Sequence, residues 1–337
     1  MAENPTTTNP YRNISVIGGG AWGTALALGA HQAGAKTTIW ARESQVVDSI
    51  RNRHENAPFL PGIALPGAIV ATADLGAAAQ AEALLLAVPA QHLRAALGDL
   101  AAHVAAGTPV MLCAKGIELG SGKLLTEVLA ECLPAAAPAI LSGPSFAHDV
   151  AIGLPTAVTI AARLDIAQRL QKTLAHAQFR PYASDDITGV ALGGAAKNVY
   201  AIGCGVVDGL GLGESARAAL LARSFAELAR LGEALGAKRE TLMGLSGLGD
   251  LVLTATSRSS RNFSVGIELG QGKSVADLSG PGRPLAEGIT TAPALVARAR
   301  SAGVELPIAE AMADLLSGAL PLGEAMLRLM RRPLTSE

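Results

Sequence analysis

The sequence predicts an open, doubly wound α/β domain followed by an all-α domain. Short apolar runs alternate with helical stretches through the first half of the chain, and a glycine-rich turn follows the first of these runs. Continuous apolar runs between helices are typical of a parallel sheet covered on both faces. From Asp186 onward we find no convincing strand. We place a tail at residues 1–12, a Rossmann-type domain at 13–189 and a helical domain at 190–337.

The strands of the first domain are predicted from short aliphatic or β-branched runs. They are Asn13–Ile17, Lys36–Trp40 and residues 68–71, 83–88, 109–113, 138–142 and 156–161. Helical patterns over residues 21–33 and 44–53 separate the first three strands. In the second domain, stretches of helical periodicity separated by glycine and proline predict the helices. They are residues 186–208, 214–235, 261–269, 291–302, 308–317 and 322–330.

Composition excludes several classes of protein. Of 337 residues, 50% are hydrophobic and 3% aromatic, so the chain can bury an aliphatic core and is not disordered. Lys and Arg total 27 against 28 Asp and Glu, which argues against a non-specific nucleic-acid binder. Cys113, Cys132 and Cys204 are isolated, so neither a disulfide framework nor a metal site is expected, and a reducing cytoplasm is. The N-terminus does not resemble a signal peptide, and charges interrupt the apolar stretches, so we expect no stable membrane insertion.

The first strand leads into Gly18-Gly19-Gly20-Ala21-Trp22-Gly23, a G-x-G-x-x-G pattern that opens an apolar helix. Gly18 would allow the tight turn, Gly20 the close approach of a pyrophosphate, and Gly23 the packing of helix on strand. Free N–H groups at the helix start, including those of Ala21 and Trp22, would bind the phosphates. The pattern predicts a dinucleotide site.

The choice of dinucleotide depends on the end of the second strand. Arg42 stands there, about 20 residues after the glycine-rich turn, and could hold a 2′-phosphate, which favours NADP. Glu43 beside it weakens that case, and Arg42 could be a solvated loop charge. NADP is the preferred cofactor and NAD the alternative.

Three charged residues are candidates for the catalytic chemistry, with Lys197 as the group that exchanges the proton. Lys197 lies in a small, apolar stretch, where burial would lower its pKa as a general base requires; a lysine that extends to the surface is the alternative. Lys115 follows a strand at the edge where open sheets bind ligands, although it could be a loop charge. Asp250, flanked by glycine and leucine, could orient Lys197 or cap the next helix.

A candidate phosphate clamp lies at Ser260-Arg261-Asn262, just before a helical stretch. Arginine binds phosphate through two parallel hydrogen bonds, and a helix N-terminus adds N–H groups and a favourable dipole. The alternative is an ordinary helix cap.

With these motifs in view, the chain resembles the bacterial NAD(P)-dependent sn-glycerol-3-phosphate dehydrogenases over most of its length. The segments that carry the resemblance occur in the order and spacing of the family, and Ala21 is a departure, since many members have Ser there. The segments are GGGAWGTALA (18–27), ENAPFLPGIALP (55–66), VPAQ (88–91), AKGIE (114–118), LSGPSFA (141–147), AAKNVYAIGCG (195–205), GLSGLGDLVLTATSRSSRN (244–262) and AEGI (286–289).

The resemblance implies reversible oxidation of glycerol 3-phosphate to dihydroxyacetone phosphate, which would supply phospholipid synthesis. It also implies a helical domain of the 6-phosphogluconate-dehydrogenase type and a possible homodimer. It makes Lys197 the catalytic lysine. Its implied substrate contacts are Lys115, Gly143, Ser145, Lys197, Asp250, Ser260, Arg261 and Asn262. Its implied cofactor contacts beyond the first loop and Arg42 are Lys115, Ala147, Arg261, Leu285 and Glu287.

Two other functions stay open. One is a different dehydrogenase of the 6-phosphogluconate or ketopantoate-reductase type, which would share both domains and a lysine. The combination of AKGIE (114–118), LSGPSFA (141–147) and TSRSSRN (256–262) argues against it, because the clamp at Arg261 calls for a phosphorylated substrate. The other is a non-catalytic module that binds NADP and signals through a partner; it would bind cofactor without turnover and would not need Lys197.

Overall fold

The computed structural model describes residues 9–278 and 286–331. The chain divides into two compact units, Met1–Lys115 with Leu125–Ala191, and Gly116–Leu124 with Leu192–Glu337. The first unit carries the sheet and the second is helical, which confirms the predicted fold class. The sequence shows no sign that residues 116–124 group with the helical unit.

Ten strands occur in the described residues. They are β1 Asn13–Ile17, β2 Lys36–Trp40, β3 Glu55–Asn56, β4 Leu60–Ala64, β5 Val70–Thr72, β6 Ala83–Leu86, β7 Pro109–Leu112, β8 Ala137–Ser142, β9 Thr156–Ala162 and β10 Phe179–Ser184. Eight of them form one sheet in the order β10-β9-β8-β7-β6-β1-β2-β5, and β3 pairs with β4 in a separate antiparallel hairpin. The strand β1 lies between β2 and β6 and is parallel to both, so the glycine-rich turn follows an interior strand of the sheet.

One pair of strands in the large sheet departs from the predicted parallel arrangement. Strand β9 runs antiparallel to β8, with Ile140 opposite Ala161, and parallel to β10. A run that is apolar on both faces reads the same in either direction, so the pattern carries no signal of this reversal. The edge strand β10 is absent from the prediction because it contains Arg180 and Pro181, and an edge strand tolerates proline where a central strand does not.

The α-helices of the first unit cover the sheet. They are α1 Ala21–Gln32, α2 Ser44–Arg53, α3 Leu75–Ala78, α4 Leu93–Leu100, α5 Leu125–Cys132, α6 Ala147–Ala151 and α7 Leu164–Leu174. The remaining helices are α8 Ile187–Gly209, α9 Glu214–Ala234, α10 Arg239–Met243, α11 Asp250–Thr256, α12 Arg261–Gly270, α13 Val275–Leu278, α14 Glu287–Ser301, α15 Pro307–Ser317 and α16 Leu322–Met330. A 3-10 turn covers Ala90–His92, and a π-helical turn, Leu245–Gly249, leads into α11. Described residues from Asp186 onward contain no strand, as predicted.

Helix α8 is the core helix of the second unit. It is long and apolar enough to cross a membrane by length and composition, but 94% of its apolar window is buried inside the protein, as expected for a core helix. Glycines on α8 and α12 let the two backbones touch: a Cβ on Gly205 would overlap Phe263 O, and one on Gly266 would overlap Ile202 O. This close crossing holds the helix that carries Lys197.

A buried acid on α9 anchors the same helix. Glu227 is 3% exposed and accepts hydrogen bonds from the N–H groups of Ile308 (2.7 Å) and Ala309 (3.2 Å) at the start of α15. The Tyr200 hydroxyl, one turn beyond Lys197 on α8, donates to it at 3.3 Å. Burial outweighs these favourable contacts and raises the pKa of Glu227 to about 7. Three helices of the second unit therefore meet at one titratable group.

We expect Glu227→Gln to flatten the dependence of stability on pH. Because the folded pKa of Glu227 is about 7 and the ordinary value is 4.5, the folded chain binds a proton that the unfolded chain releases between these values. This proton favours folding fully below pH 4.5, and its contribution is lost as the pH rises to about 7, a change on the order of 3 kcal/mol. Urea unfolding at pH 5 and pH 8 measures it. The exposed Glu233→Gln on the same helix is the control; parallel pH profiles of wild type and Glu227→Gln would contradict the prediction.

Candidate active site

The glycine-rich loop has the geometry that its three glycines predict. Gly18 has φ +125°, and a Cβ there would lie 2.8 Å from Ala87 O; a Cβ on Gly23 would overlap Gly18 O. Gly20, by contrast, faces open space, with no atom within 4 Å of an added Cβ. The first helical hydrogen bond of α1 runs from Thr24 N to Gly20 O (3.0 Å), so the preceding N–H groups of Ala21, Trp22 and Gly23 have no acceptor within the helix. The loop therefore combines a tight turn with N–H groups suited to an anion.

Trp22 and Arg42 flank this loop in different ways. The Trp22 indole N–H donates to Cys113 O at 3.1 Å, which ties the start of α1 to the end of β7. Arg42 follows β2, and its guanidinium lies 3.1 Å from Glu43 Oε1, with 78% of the Arg42 side chain exposed. A surface pair of this kind contributes little to stability and separates easily.

Lys115 lies at the carboxyl end of β7, as predicted. Its ammonium donates to Gly143 O at 3.0 Å, and the Ser145 hydroxyl donates to the same oxygen at 3.1 Å. Gly143 has φ +148°, and a Cβ there would lie 2.8 Å from Val158 Cα, so only glycine fits. Ala147 is the first residue of α6. The structure thus brings Lys115, Gly143 and Ser145 together beside a short helix.

Lys197 lies in a buried polar cluster within the second unit. Its Nζ donates to Asp250 Oδ1 at 2.6 Å and to Thr254 Oγ1 at 2.7 Å, and the Thr254 hydroxyl donates to Asp250 Oδ1 at 3.2 Å. Lys197 is 6% exposed, Asp250 1% and Thr254 3%. Asp250 is the first residue of α11, directly after the N-cap Gly249, and its Oδ1 accepts hydrogen bonds from both Lys197 and Thr254.

Glycines make this ion pair possible. A Cβ on Gly193 of α8 would lie 2.7 Å from Ser246 O, and one on Gly247 would overlap Leu242 O. The backbone of α8 therefore packs directly against the π-helical turn Leu245–Gly249, from which α11 starts. That contact places Asp250 within reach of Lys197, 53 residues away along the chain.

The three residues of the proposed clamp lie in different environments at the start of α12. Ser260 is the N-cap, and its Oγ accepts a hydrogen bond from Phe263 N at 3.2 Å. Arg261 is the first residue of the helix; it is exposed, and its guanidinium has no hydrogen bond or ion pair with any residue in 9–278 or 286–331. Asn262 is buried, and its amide donates to Asn198 Oδ1 at 2.9 Å and accepts from Gly288 N at 2.9 Å.

This amide network joins three helices, because Asn198 follows Lys197 on α8 and Gly288 follows Glu287 on α14. Glu287 is the first residue of α14, which begins four residues before the predicted helix start at Thr291. Leu285 lies outside the described residues.

Sequence reasoning missed Thr254 and Asn198 as parts of these clusters. Thr254 stands four residues after Asp250, so the helical period alone could have placed both side chains on one face. No local signal relates Asn198 to Asn262, which is 64 residues away. Within residues 9–278 and 286–331, no group of three or more His, Cys, Asp and Glu side chains could hold a metal ion.

Comparison with known proteins follows the same division of the chain. The family model for the NAD-dependent glycerol-3-phosphate dehydrogenase N-terminus matches residues 13–167, and that for the C-terminus matches residues 186–327. The chain is 54% identical over 331 residues to a glycerol-3-phosphate dehydrogenase [NAD(P)+] of Parvibaculum lavamentivorans, covering 98% of this chain and 99% of the relative. It is 50% identical to one of Maricaulis maris, covering 97% and 98%.

Solved structures that resemble this chain include a member of the same family. The crystal structure of glycerol-3-phosphate dehydrogenase from Coxiella burnetii superposes with a TM-score of 0.91 at 36% identity, covering 96% of this chain and 99% of that one. A ketopantoate reductase from Ralstonia eutropha, at 15% identity and a TM-score of 0.58, shares the fold alone. By its sequence and by both family models, this chain belongs to the NAD-dependent glycerol-3-phosphate dehydrogenase family.

Proposed function

We propose that this protein catalyses the reversible, NAD(P)-dependent oxidation of sn-glycerol 3-phosphate to dihydroxyacetone phosphate. The observation that carries the proposal is the buried cluster of Lys197, Asp250 and Thr254. A buried ammonium with a fixed carboxylate partner is suited to exchange a proton with an alcohol or carbonyl oxygen. The names and identities of the relatives favour this reaction over the other two functions considered.

In this proposal Lys197 is the general acid and base. When dihydroxyacetone phosphate is reduced, Nζ gives its proton to the carbonyl oxygen; when glycerol 3-phosphate is oxidised, it takes the hydroxyl proton. Asp250 and Thr254 hold Nζ in place and stabilise its charge. Lys115, with Gly143 and Ser145, supplies hydrogen bonds to the substrate, and the nicotinamide accepts or supplies the hydride.

The phosphate of the substrate is proposed to bind at the start of α12. The exposed Arg261 has no partner among the described residues and stands where the helix dipole favours an anion. Ser260 and Asn262 complete the clamp, although both also hold structure: Ser260 caps the helix and Asn262 bonds to Asn198 and Gly288. The hydroxyl proton of Ser260 and one amide proton of Asn262 remain for the ligand.

The cofactor is proposed to bind at the glycine-rich loop, whose open space at Gly20 and unbonded N–H groups fit a pyrophosphate. The residues that would hold it there are Gly18, Gly20, Ala21, Trp22 and Gly23. Arg42 would hold the 2′-phosphate of NADP, with NAD the alternative. Further contacts are assigned by family resemblance to Lys115, Ala147, Arg261, Leu285 and Glu287.

We infer a dinucleotide-binding domain at residues 13–189 and a substrate domain at 190–337. A cytoplasmic location, a homodimer, no stable membrane insertion and a supply of glycerol 3-phosphate to phospholipid synthesis are inferred from the family resemblance and from composition.

The reaction is tested by absorbance at 340 nm with purified protein, dihydroxyacetone phosphate, and NADPH or NADH. We expect rapid oxidation of the cofactor, no comparable rate with unphosphorylated dihydroxyacetone, and a higher kcat/KM for NADPH that reports the role of Arg42. A 2-keto acid such as ketopantoate tests the related dehydrogenases. Binding of NADPH by fluorescence without turnover of any of these substrates would overturn the proposal and favour the sensor.

A further inference from the structure

A buried asparagine contacts the glycine-rich loop from a distant part of the chain. Asn56 lies in strand β3 of the first unit, 37 residues after the loop, and is fully buried. Its amide nitrogen donates to Gly19 O at 2.7 Å. Neither the G-x-G-x-x-G pattern nor the roles proposed above include this residue.

The same amide reaches a second carbonyl of the loop through Thr24. Asn56 Nδ2 also donates to Thr24 Oγ1 at 2.7 Å, and the Thr24 hydroxyl donates to Gly20 O at 2.9 Å. Thr24 is fully buried as well. One amide group therefore binds two consecutive loop carbonyls, Gly19 directly and Gly20 through one hydroxyl. We call these three hydrogen bonds the Asn56–Thr24 relay.

The orientation of the amide is set by these partners. Gly19 O can only accept, so it must face the NH₂ group of Asn56, and the Thr24 hydroxyl, which gives its proton to Gly20 O, accepts from the same group. Asn56 Oδ1 has no hydrogen-bond partner among the described residues, although it is buried. A buried acceptor without a partner is unfavourable, so the favourable contacts of the Asn56 amide are the two hydrogen bonds that its NH₂ group donates.

We propose that Asn56 and Thr24 are positioning residues for dinucleotide binding. Carbonyl oxygens of a phosphate-binding loop carry partial negative charge and oppose an anion unless they are turned aside and hydrogen-bonded. The relay holds the carbonyls of Gly19 and Gly20 in one orientation, so that the N–H groups at the start of α1 face the phosphates. This inference rests on the proposed cofactor site, and it adds two residues that act through the loop rather than on the cofactor.

The test compares NADPH affinity, by fluorescence titration, with thermal stability. Asn56→Asp keeps the shape but replaces the two donors by an acceptor, and Thr24→Val keeps the shape but removes the hydroxyl. We expect the Kd for NADPH to rise about tenfold or more in each, with the KM for dihydroxyacetone phosphate changed far less. Thr24→Ser, which restores a hydroxyl, should recover most of the affinity lost in Thr24→Val.

Thr37→Val is the matched control, because Thr37 is an equally buried threonine of the first unit whose hydroxyl donates only to Ala35 O (3.1 Å). It should lower the melting temperature about as much as Thr24→Val and leave the Kd for NADPH unchanged. A wild-type Kd in folded Thr24→Val or Asn56→Asp, or an equal rise of Kd in Thr37→Val, would overturn the inference. If wild type binds NADPH but does not reduce dihydroxyacetone phosphate, the proposed reaction fails while the relay is still judged by Kd.

Discussion

Lys197→Ala should reduce kcat by roughly 10³-fold or more and leave NADPH affinity near the wild-type value. The reason is that the proton of the reaction passes through Nζ in the proposed mechanism, and loss of a general acid or base typically costs 10²–10⁴ in rate. The glycine-rich loop, which is proposed to hold the cofactor, contains no part of the Lys197 cluster. The measurements are kcat at 340 nm and the NADPH Kd by fluorescence.

The single substitution leaves Asp250 buried without Lys197, and breaking a buried ion pair typically costs about 3–5 kcal/mol of stability. The double variant Lys197→Met, Asp250→Asn removes both charges and should recover much of this loss while it stays inactive. Lys172→Ala, an exposed lysine on α7, is the control and should behave as wild type. Turnover within tenfold of wild type, or loss of NADPH binding in the folded double variant, would contradict the role of Lys197.

Arg261→Ala should raise the KM for dihydroxyacetone phosphate by about 100-fold, with a smaller change in kcat. Hydrogen bonds to charged groups contribute about 1.5–3 kcal/mol each, and one such bond already accounts for a factor of 10 to 100 in affinity. Arg261→Lys should recover part of the affinity, since it keeps the charge but loses the paired geometry. Saturation curves for each substrate measure the effect.

Two controls separate phosphate binding from loss of structure. Arg258→Ala removes an exposed arginine from the segment just before α12, one whose guanidinium lies 3.4 Å from Asp208, and should leave this KM unchanged. Residual activity with unphosphorylated dihydroxyacetone should be the same in wild type and Arg261→Ala, because that substrate carries no phosphate. An unchanged KM for dihydroxyacetone phosphate in Arg261→Ala would place the phosphate elsewhere.

The direct ion pair bears on how Lys197 acts. A carboxylate at 2.6 Å favours the ammonium form of Lys197, and in the proposed mechanism this is the form that gives a proton to the carbonyl during reduction. For alcohol oxidation the same lysine must first be neutral, and Asp250 opposes that. Thr254 donates to Asp250 and accepts from Lys197, so its hydroxyl links the acid to the base and keeps both in one geometry.

Local patterns were sufficient for many of the elements and for the positions of several candidate site residues. The strand, glycine-rich turn and helix around Gly18 to Gly23, the apolar helix around Lys197 and the hydroxyl cap at Ser260 all follow from rules that act within a few residues. Burial repeats every two residues in a half-buried strand and every 3.6 in a helix, and caps and turns need particular residues at fixed offsets. A single sequence contains these signals.

Only the tertiary structure decided which distant residues meet. In the folded chain Lys197 donates hydrogen bonds to Asp250 and Thr254. The amide of Asn262 bonds to Asn198 and Gly288, and the amide of Asn56 donates to the carbonyl of Gly19. The tertiary structure also set β9 antiparallel to β8. These pairings join segments up to 64 residues apart, and they depend on how closely backbones pack at glycines such as Gly193 and Gly247. Packing of that kind is a property of the assembled core, because no short stretch of chain contains both partners.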